Sequence, residues 1–132
     1  HADIVIAAAA VADFKPREVG KQKIKKEGGI QSIELDSTPD ILAQMGQLKQ
    51  KQFLVGFALE TEDEQSNAIK KIKSKNLDAI VLNSLNDPDA GFSVDSNKVT
   101  YIDKNETTIP FELKSKILVA KDIFSQILIQ NA

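Results

Sequence analysis

The chain has 132 residues, 42% hydrophobic and 27% charged, with a net charge of -2; this balance fits a single domain over 1–132 and excludes collagen-like, disordered and membrane-spanning compositions. The absence of Cys excludes disulfides, thiolate metal centres and cysteine nucleophiles, and the single His, at position 1, argues against imidazole zinc sites and Ser-His-Asp catalysis. Chemistry must rest on Lys, Asp, Glu, Asn and backbone groups.

The first residues lack an initiator Met and enter an apolar run by Asp3, which predicts sequence upstream; no basic region precedes that run, so a cytoplasmic protein is expected. Asp3 to Ala10 reads as a central parallel strand covered on both faces. Pro16 restricts Lys15 to extended geometry, so the chain leaves the sheet there. Lys23 to Lys26 and Ile30 to Leu35 flank Glu27-Gly28-Gly29 as a hairpin or flap. Thr38 reads as a helix N-cap, with Pro39 at the first helical position and Asp40 on the positive dipole end, ahead of Ile41, Leu42, Met45 and Leu48 at helical spacing.

Phe53 to Ala58 returns to a strand, Glu62 to Lys75 is a helix with Ala68, Ile69 and Ile72 on one stripe, and Leu77 to Leu82 is another buried strand. Such alternation predicts a Rossmann-like α/β fold, a mostly parallel sheet flanked by helices with right-handed crossovers. Asn83 to Asn97 is a long polar loop of the functional kind. Lys98 to Ile102 and Thr107 to Leu113 form an antiparallel hairpin added to a sheet edge, and Ser115 caps a last helix expected to bury Leu118, Ala120, Ile123, Phe124, Ile127 and Leu128.

Every basic residue except Arg17 is lysine, concentrated at 15–26 and 70–75. Two basic foci on an acidic chain suit a small polyanion rather than nucleic acid, which needs a broad basic face. An open α/β sheet binds ligands beyond the carboxyl ends of its parallel strands, where Ala9 to Pro16, Phe57 to Thr61 and Asn83 onward fall. Small residues there admit a planar base to the backbone, and tight helix packing explains them equally well. Asp13 suits a ribose hydroxyl or base amino group, against the commoner solvated aspartate. Lys23 and Lys25 share one strand face and suit phosphates, or simply guard an edge strand. Lys71 and Lys75 stand on one helix edge, where dipole compensation alone would account for them. Phe57 suits stacking on a base, against a core role.

Taken in order, Ala9-Ala-Val-Ala-Asp-Phe-Lys-Pro16, Lys23-Ile-Lys-Lys26, Thr38-Pro-Asp-Ile-Leu42, Val55-Gly-Phe-Ala58 with Glu60-Thr61, Lys71 to Asp78, Asn83 and Gly91-Phe92 to Asn97 resemble phosphopantothenoylcysteine synthetase, the C-terminal half of the bacterial bifunctional coenzyme A biosynthesis flavoprotein. The resemblance runs over nearly the whole chain. It implies a ligase in which CTP, with Mg2+, activates 4'-phosphopantothenate as an acyl-cytidylate and cysteine then displaces CMP. By motif, Ala9, Ala10 and Asp13 would meet the nucleotide, and Lys23 would contact phosphate and support catalysis. Pro39, Asp40, Ile41 and Leu42 would line the nucleotide site, Phe57 would contact the cytosine side, and Lys71 and Lys75 would complete the anion pocket. The resemblance also implies a homodimer with the flap and added strands near its interface, and a fused decarboxylase domain that holds the FMN, none being expected on this chain.

Two departures accompany it. The family's synthetase region begins earlier, with a glycine-rich segment and an asparagine that handles the acyl-cytidylate, and Gly91 to Asn97 is less asparagine-rich than the family's loop. The competing readings are a non-catalytic nucleotide-binding or dimerisation module of the same fold, and an ATP-using synthetase of the eukaryotic kind.

Overall fold

A computed structural model describes residues 2–23, 32–84 and 95–131. In chain order the elements are β1 (Ile4–Ala7), β2 (Phe14–Pro16), β3 (Leu35–Ser37), α1 (Ile41–Leu48), β4 (Phe53–Glu60), α2 (Glu64–Ser74), β5 (Ala79–Ser84), β6 (Ser96–Asn97), β7 (Val99–Asp103), β8 (Thr108–Pro110), β9 (Lys114–Ser115) and α3 (Lys116–Gln130). They form two compact units, His1–Ala8 with Leu42–Ala132, and Ala9–Ile41.

The first unit is built on a five-stranded sheet of order β1-β4-β5-β7-β8. Strands β1, β4 and β5 run parallel, as the α/β alternation requires, and β7 and β8 add to β5 as an antiparallel hairpin. The fold class and the added hairpin agree with the sequence reading. β1 does not: among the described strands it pairs with β4 alone and lies at the edge rather than the centre. Its alanines lengthen the apolar run without supplying much area to bury, and Ile6 is left 39% exposed.

Successive strand residues point to opposite faces, so the sheet carries two cores. Val55, Val81, Val99 and Tyr101 face α3 and pack with its Val119, Ile123 and Ile127. Leu54, Ala58, Ile80 and Leu82 face the other way and pack with Ala68 and Ile72 of α2, while Leu42 of α1 joins from the margin. The expected stripe of α2 is therefore confirmed. That of α3 is corrected: Leu118, Ala120, Phe124 and Leu128 are exposed, and Val119 takes the buried place beside Ile123 and Ile127. The predicted cap on α3 is present, with the Ser115 hydroxyl accepting from the Leu118 N–H at 3.4 Å.

Strand β5 begins at Ala79 rather than Leu77 because the preceding residues close helix α2. Asn76 adopts φ 51°, its N–H reaches the Lys73 carbonyl, and the Leu77 N–H bonds the Ile72 carbonyl at 3.0 Å. This is a Schellman closure with asparagine in the left-handed position that glycine usually takes, sealed by contact between Leu77 and Ile72. The long polar loop is also shorter at its ends than expected: Asn83 and Ser84 belong to β5, and Ser96–Asn97 pairs with Lys114–Ser115. Residues 85–94 of that loop lie outside the described residues.

The second unit is a two-stranded antiparallel ribbon, with Phe14, Lys15 and Pro16 opposite Ser37, Asp36 and Leu35. This ribbon is not the expected pairing of Lys23 to Lys26 with Ile30 to Leu35: Leu35 lies opposite Pro16 instead, and most of that hairpin, with its turn at Glu27-Gly28-Gly29, lies outside the described residues. Arg17 clamps the ribbon, reaching Glu34 at 2.7 Å and Asp36 at 2.9 Å. Thr38 is not the expected N-cap; its hydroxyl donates instead to the Ala12 carbonyl at 2.5 Å, and the helix begins at Ile41.

Candidate functional site

Strands β4 and β5 end side by side at Glu60 and Ser84, while β1 stops earlier, its last residue Ala7 registered against Gly56. Here the chain leaves the sheet and loops can enclose a ligand. The alternation of side chains divides this edge. Phe57 and Leu59 of β4, 37% and 38% exposed, point to the α3 side together with Ile6 of β1 and Asn83 of β5, which is registered against Leu59. Glu60 and Ser84 point to the α2 side. The Lys71 ammonium meets Glu60 at 2.5 Å, and the Ser84 hydroxyl donates to Glu64 at 2.5 Å.

Two of the anticipated ligand-binding groups therefore emerge on opposite faces of one strand, Phe57 on one and the partner of Lys71 on the other. Lys71 is part-exposed, but its carboxylate partner is 86% covered, so the cation arrives already neutralised. Lys75 follows as the C-cap of α2, its N–H bonding the Lys71 carbonyl at 3.0 Å. Leu42 contacts the underside of β4 where Gly56 leaves room; a Cβ on Gly56 would stand 3.0 Å from Leu42 Cδ2 and 2.9 Å from Leu77 Cδ1. This is the physical reason for the Val55-Gly-Phe sequence.

The other anticipated residues belong to the ribbon unit. Ala9, Ala10, Asp13, Lys23, Pro39, Asp40 and Ile41 are all exposed. Within that unit, Thr38 joins the two segments expected to touch the nucleotide: its N–H bonds the Asp13 carbonyl at 2.9 Å while its hydroxyl bonds that of Ala12. Asp13 thus stands next to the Pro39 to Ile41 segment. Sequence reasoning assigned Thr38 to a cap and missed this bridge, and it gave Glu60 no role; a carboxylate at a strand end facing a lysine-bearing helix was the available signal. Among the described residues, no group of three acidic or His side chains could hold a metal ion.

The opposite end of the sheet is polar as well, yet it is occupied by structural bonds. Asp78, at the amino end of β5, is 8% exposed and accepts from the Leu54 N–H at 2.8 Å and Lys49 at 2.9 Å, with Lys104 at 3.5 Å. Asp103 accepts from the N–H groups of Asn105 and Thr107 and from the Gln130 amide, whose oxygen takes the Tyr101 hydroxyl proton at 2.7 Å. Burial, with the charges of Asp103 and Asp78 added, pushes the Tyr101 hydroxyl up to about 12.

Residues 1–130 match the family model described as the DNA/pantothenate metabolism flavoprotein C-terminal domain. The chain belongs to this family. It is 55% identical over 127 residues to a cysteine/cysteine sulfinic acid decarboxylase from an unknown prokaryotic organism, covering 96% of this chain and 35% of that one. It is 45% identical over 125 residues to the coenzyme A biosynthesis bifunctional protein CoaBC of Bacillus subtilis, covering 95% and 31%. Among solved structures, the C-terminal domain of a CoaBC protein matches with a TM-score of 0.75 and 37% identity, covering 97% of this chain and 54% of that one. The chain spans about a third of the length of these curated relatives. Both the family and the solved structure agree with the synthetase-type fold expected from the motifs. Among the described residues no helix is long and apolar enough to cross a membrane.

Proposed function

We propose that the chain is the nucleotide-binding part of a CTP-dependent phosphopantothenate-cysteine ligase of coenzyme A biosynthesis, acting in the cytoplasm. The observation that carries this reading is the family match over residues 1–130 together with 45% identity to a CoaBC protein. In the reaction, a carboxylate oxygen of 4'-phosphopantothenate attacks the α-phosphorus of CTP and pyrophosphate leaves. The cysteine amine then attacks the acyl carbon, loses a proton, and releases CMP.

The residues of this chain suit that chemistry because neither step needs a protein thiol or imidazole. Mg2+ carried by the nucleotide would neutralise part of the phosphate charge. Lys23, exposed and lacking a carboxylate among its immediate neighbours in sequence, supplies a mobile cation for the phosphates. Ala9, Ala10 and Asp13 meet the nucleoside, Pro39, Asp40, Ile41 and Leu42 line its pocket, and Phe57 takes the base. Lys71 and Lys75 complete the anion site, with Lys71 exchanging Glu60 for phosphate.

A homodimer belongs to the same reading. Phe14, Val19, Ile33 and Leu35 of the ribbon unit are more than half exposed. Two of these, Val19 and Ile33, border a groove of about 510 Å³ lined also by Pro16, Arg17, Glu18 and Glu34, and together the four make an apolar surface that a second copy would cover. FMN and decarboxylation are assigned to a fused domain outside these residues.

The test is pyrophosphate release by the full-length protein with CTP, 4'-phosphopantothenate and cysteine. Release with CTP well above that with ATP is expected; equal use of both nucleotides, or none of either, overturns the reading. Lys23→Gln should lower the rate about 10²- to 10³-fold, the usual consequence of losing one group that stabilises transition-state charge, with an unchanged unfolding midpoint. A second reading, decarboxylation, draws on the name of the 55% identical relative; carbon dioxide release that is lost on mutating Lys23 would favour it.

A further inference from the structure

Asn83 is the penultimate residue of β5, at the carboxyl end of the parallel strands. Its side chain shares the α3 face of the sheet with Leu59 of β4 and Val99 of β7, the residues registered on either side of it. Its amide oxygen is buried, and among the described residues it has no hydrogen-bond partner. Leaving a buried acceptor unpaired is costly, and buried polar side chains overwhelmingly find partners. An aliphatic residue would satisfy the apolar neighbours Leu59 and Val99 better. Along the same face Ile6, Phe57 and Leu59 are apolar and more than a third exposed, and the Tyr101 hydroxyl is already given to Gln130. Half a turn about the last side-chain torsion exchanges oxygen and nitrogen, so one amide can offer either an acceptor or a donor to a group lying along Phe57 and Leu59.

We propose that Asn83 is a ligand-reading residue whose amide pairs with an amide-like N–H and C=O edge laid against the Phe57 and Leu59 shelf. The inference deepens the ligase reading and rests on it for the two molecules that carry such an edge. One is the amino and carbonyl edge of cytosine; the other is the secondary amide of 4'-phosphopantothenate. Asn83 acts on recognition and not on the bonds being made, so its removal changes apparent affinity more than turnover at saturation.

The experiment uses the full-length protein with Asn83→Leu, close in volume and unable to hydrogen-bond. KM and kcat are measured for CTP, UTP and 4'-phosphopantothenate, and thermal unfolding is followed in parallel. We expect one KM to rise roughly tenfold, as for one lost hydrogen bond to a neutral group, with kcat changed less than threefold. If the edge is that of cytosine, the preference for CTP over UTP collapses and the KM for 4'-phosphopantothenate holds. If it is the amide, the KM for 4'-phosphopantothenate rises and base preference holds. Unchanged KM values for both, with an equal or higher unfolding midpoint, overturn the inference while leaving the ligase reading intact. Wild-type protein that makes no pyrophosphate from CTP sinks the ligase reading instead and takes these ligands from Asn83 with it. Should the leucine variant not fold, Asn83→Asp, which keeps an acceptor but no donor, is put through the same measurements, and unaltered selectivity and KM values overturn the inference equally.

Discussion

In the sheet unit, Val55, Val81, Tyr101, Ile102 and Ile127 have no exposed surface at all, whereas in the ribbon unit no described side chain is buried and the least exposed are Asp36 and Thr38. The sheet is held by area removed from water, each fully buried aliphatic or aromatic side chain contributing about 1.5 to 3 kcal/mol. The ribbon is held by backbone pairing, the Arg17 clamp and the Thr38 bridge. Two strands with no core of their own are marginal in water. A ribbon of this kind is suited to being completed by what binds it, and the residues expected to touch nucleotide are mostly there.

The hardest challenge to this contrast is a polar group that matters to the sheet. Asp78→Ala removes the acceptor for Leu54 and strands Lys49, whose side chain is only 13% exposed. Breaking a buried pair from one side costs about 3 to 5 kcal/mol. Urea unfolding should show that loss with an unchanged slope. A loss below about 1 kcal/mol would mean that the sheet does not depend on this staple.

Gly46→Ala comes next. Alanine normally improves a helix interior by up to about 1 kcal/mol over glycine, but a Cβ here would stand 1.8 Å from the Lys75 carbonyl oxygen, where the end of α2 crosses α1 and Asn76 donates to the Gly46 carbonyl. The clash reverses the sign, and a destabilisation of about 1 to 3 kcal/mol is expected. A stabilised variant would show that the two helices part easily.

These two sites also show what the sequence makes legible. The parallel strand β4 and helix α2 are readable because Phe53 to Ala58 is a short continuous apolar run, as a strand buried on both faces requires, while Ala68, Ile69 and Ile72 fall at helical spacing. In α3 the period fails: Ile117, Leu118, Phe124, Leu128 and Ile129 are exposed beside the buried Val119, Ile123 and Ile127. A helix apolar nearly all round does not announce which stripe faces the sheet. At the candidate site, the strand ends were legible from topology, and so was the position of Lys71 on the helix. Its ion pair with Glu60 and the Thr38 bridge were not, because each joins side chains to partners far along the chain that no local pattern relates.

Tyr101 offers a smaller and pH-dependent test. With its hydroxyl raised to about 12 from an ordinary 10.0, the folded state keeps the proton over a range in which the unfolded chain has already lost it. The unfolded state then binds fewer protons, so stability falls as pH rises from 10 toward 12 and is unaffected below. Tyr101→Phe should cost about 1 kcal/mol at neutral pH through the lost bond to Gln130, and should flatten that alkaline decline. A decline equally steep in the variant would assign it to other groups.

The smallest effect is expected at Arg17. Its guanidinium spans Glu34 and Asp36, but all three side chains are 43% or more exposed, and pairs so open to solvent are worth less than about 1 kcal/mol. Arg17→Ala should leave the unfolding midpoint of the sheet unchanged, yet in a ribbon without a core even this small term is a large share of what holds the strands together. Hydrogen exchange separates the two outcomes. The Arg17 N–H, bonded to the Glu34 carbonyl at 2.9 Å, is read in the parent protein, and the Thr38 N–H, bonded to Asp13 at 2.9 Å, is read in both. In the variant, the Thr38 amide and that of residue 17 should exchange up to about fivefold faster, while amides of β4 keep their rates. Acceleration that spreads into β4 would show that one cooperative unit covers both parts, and that the ribbon draws its stability from the sheet's core instead of from its own polar contacts.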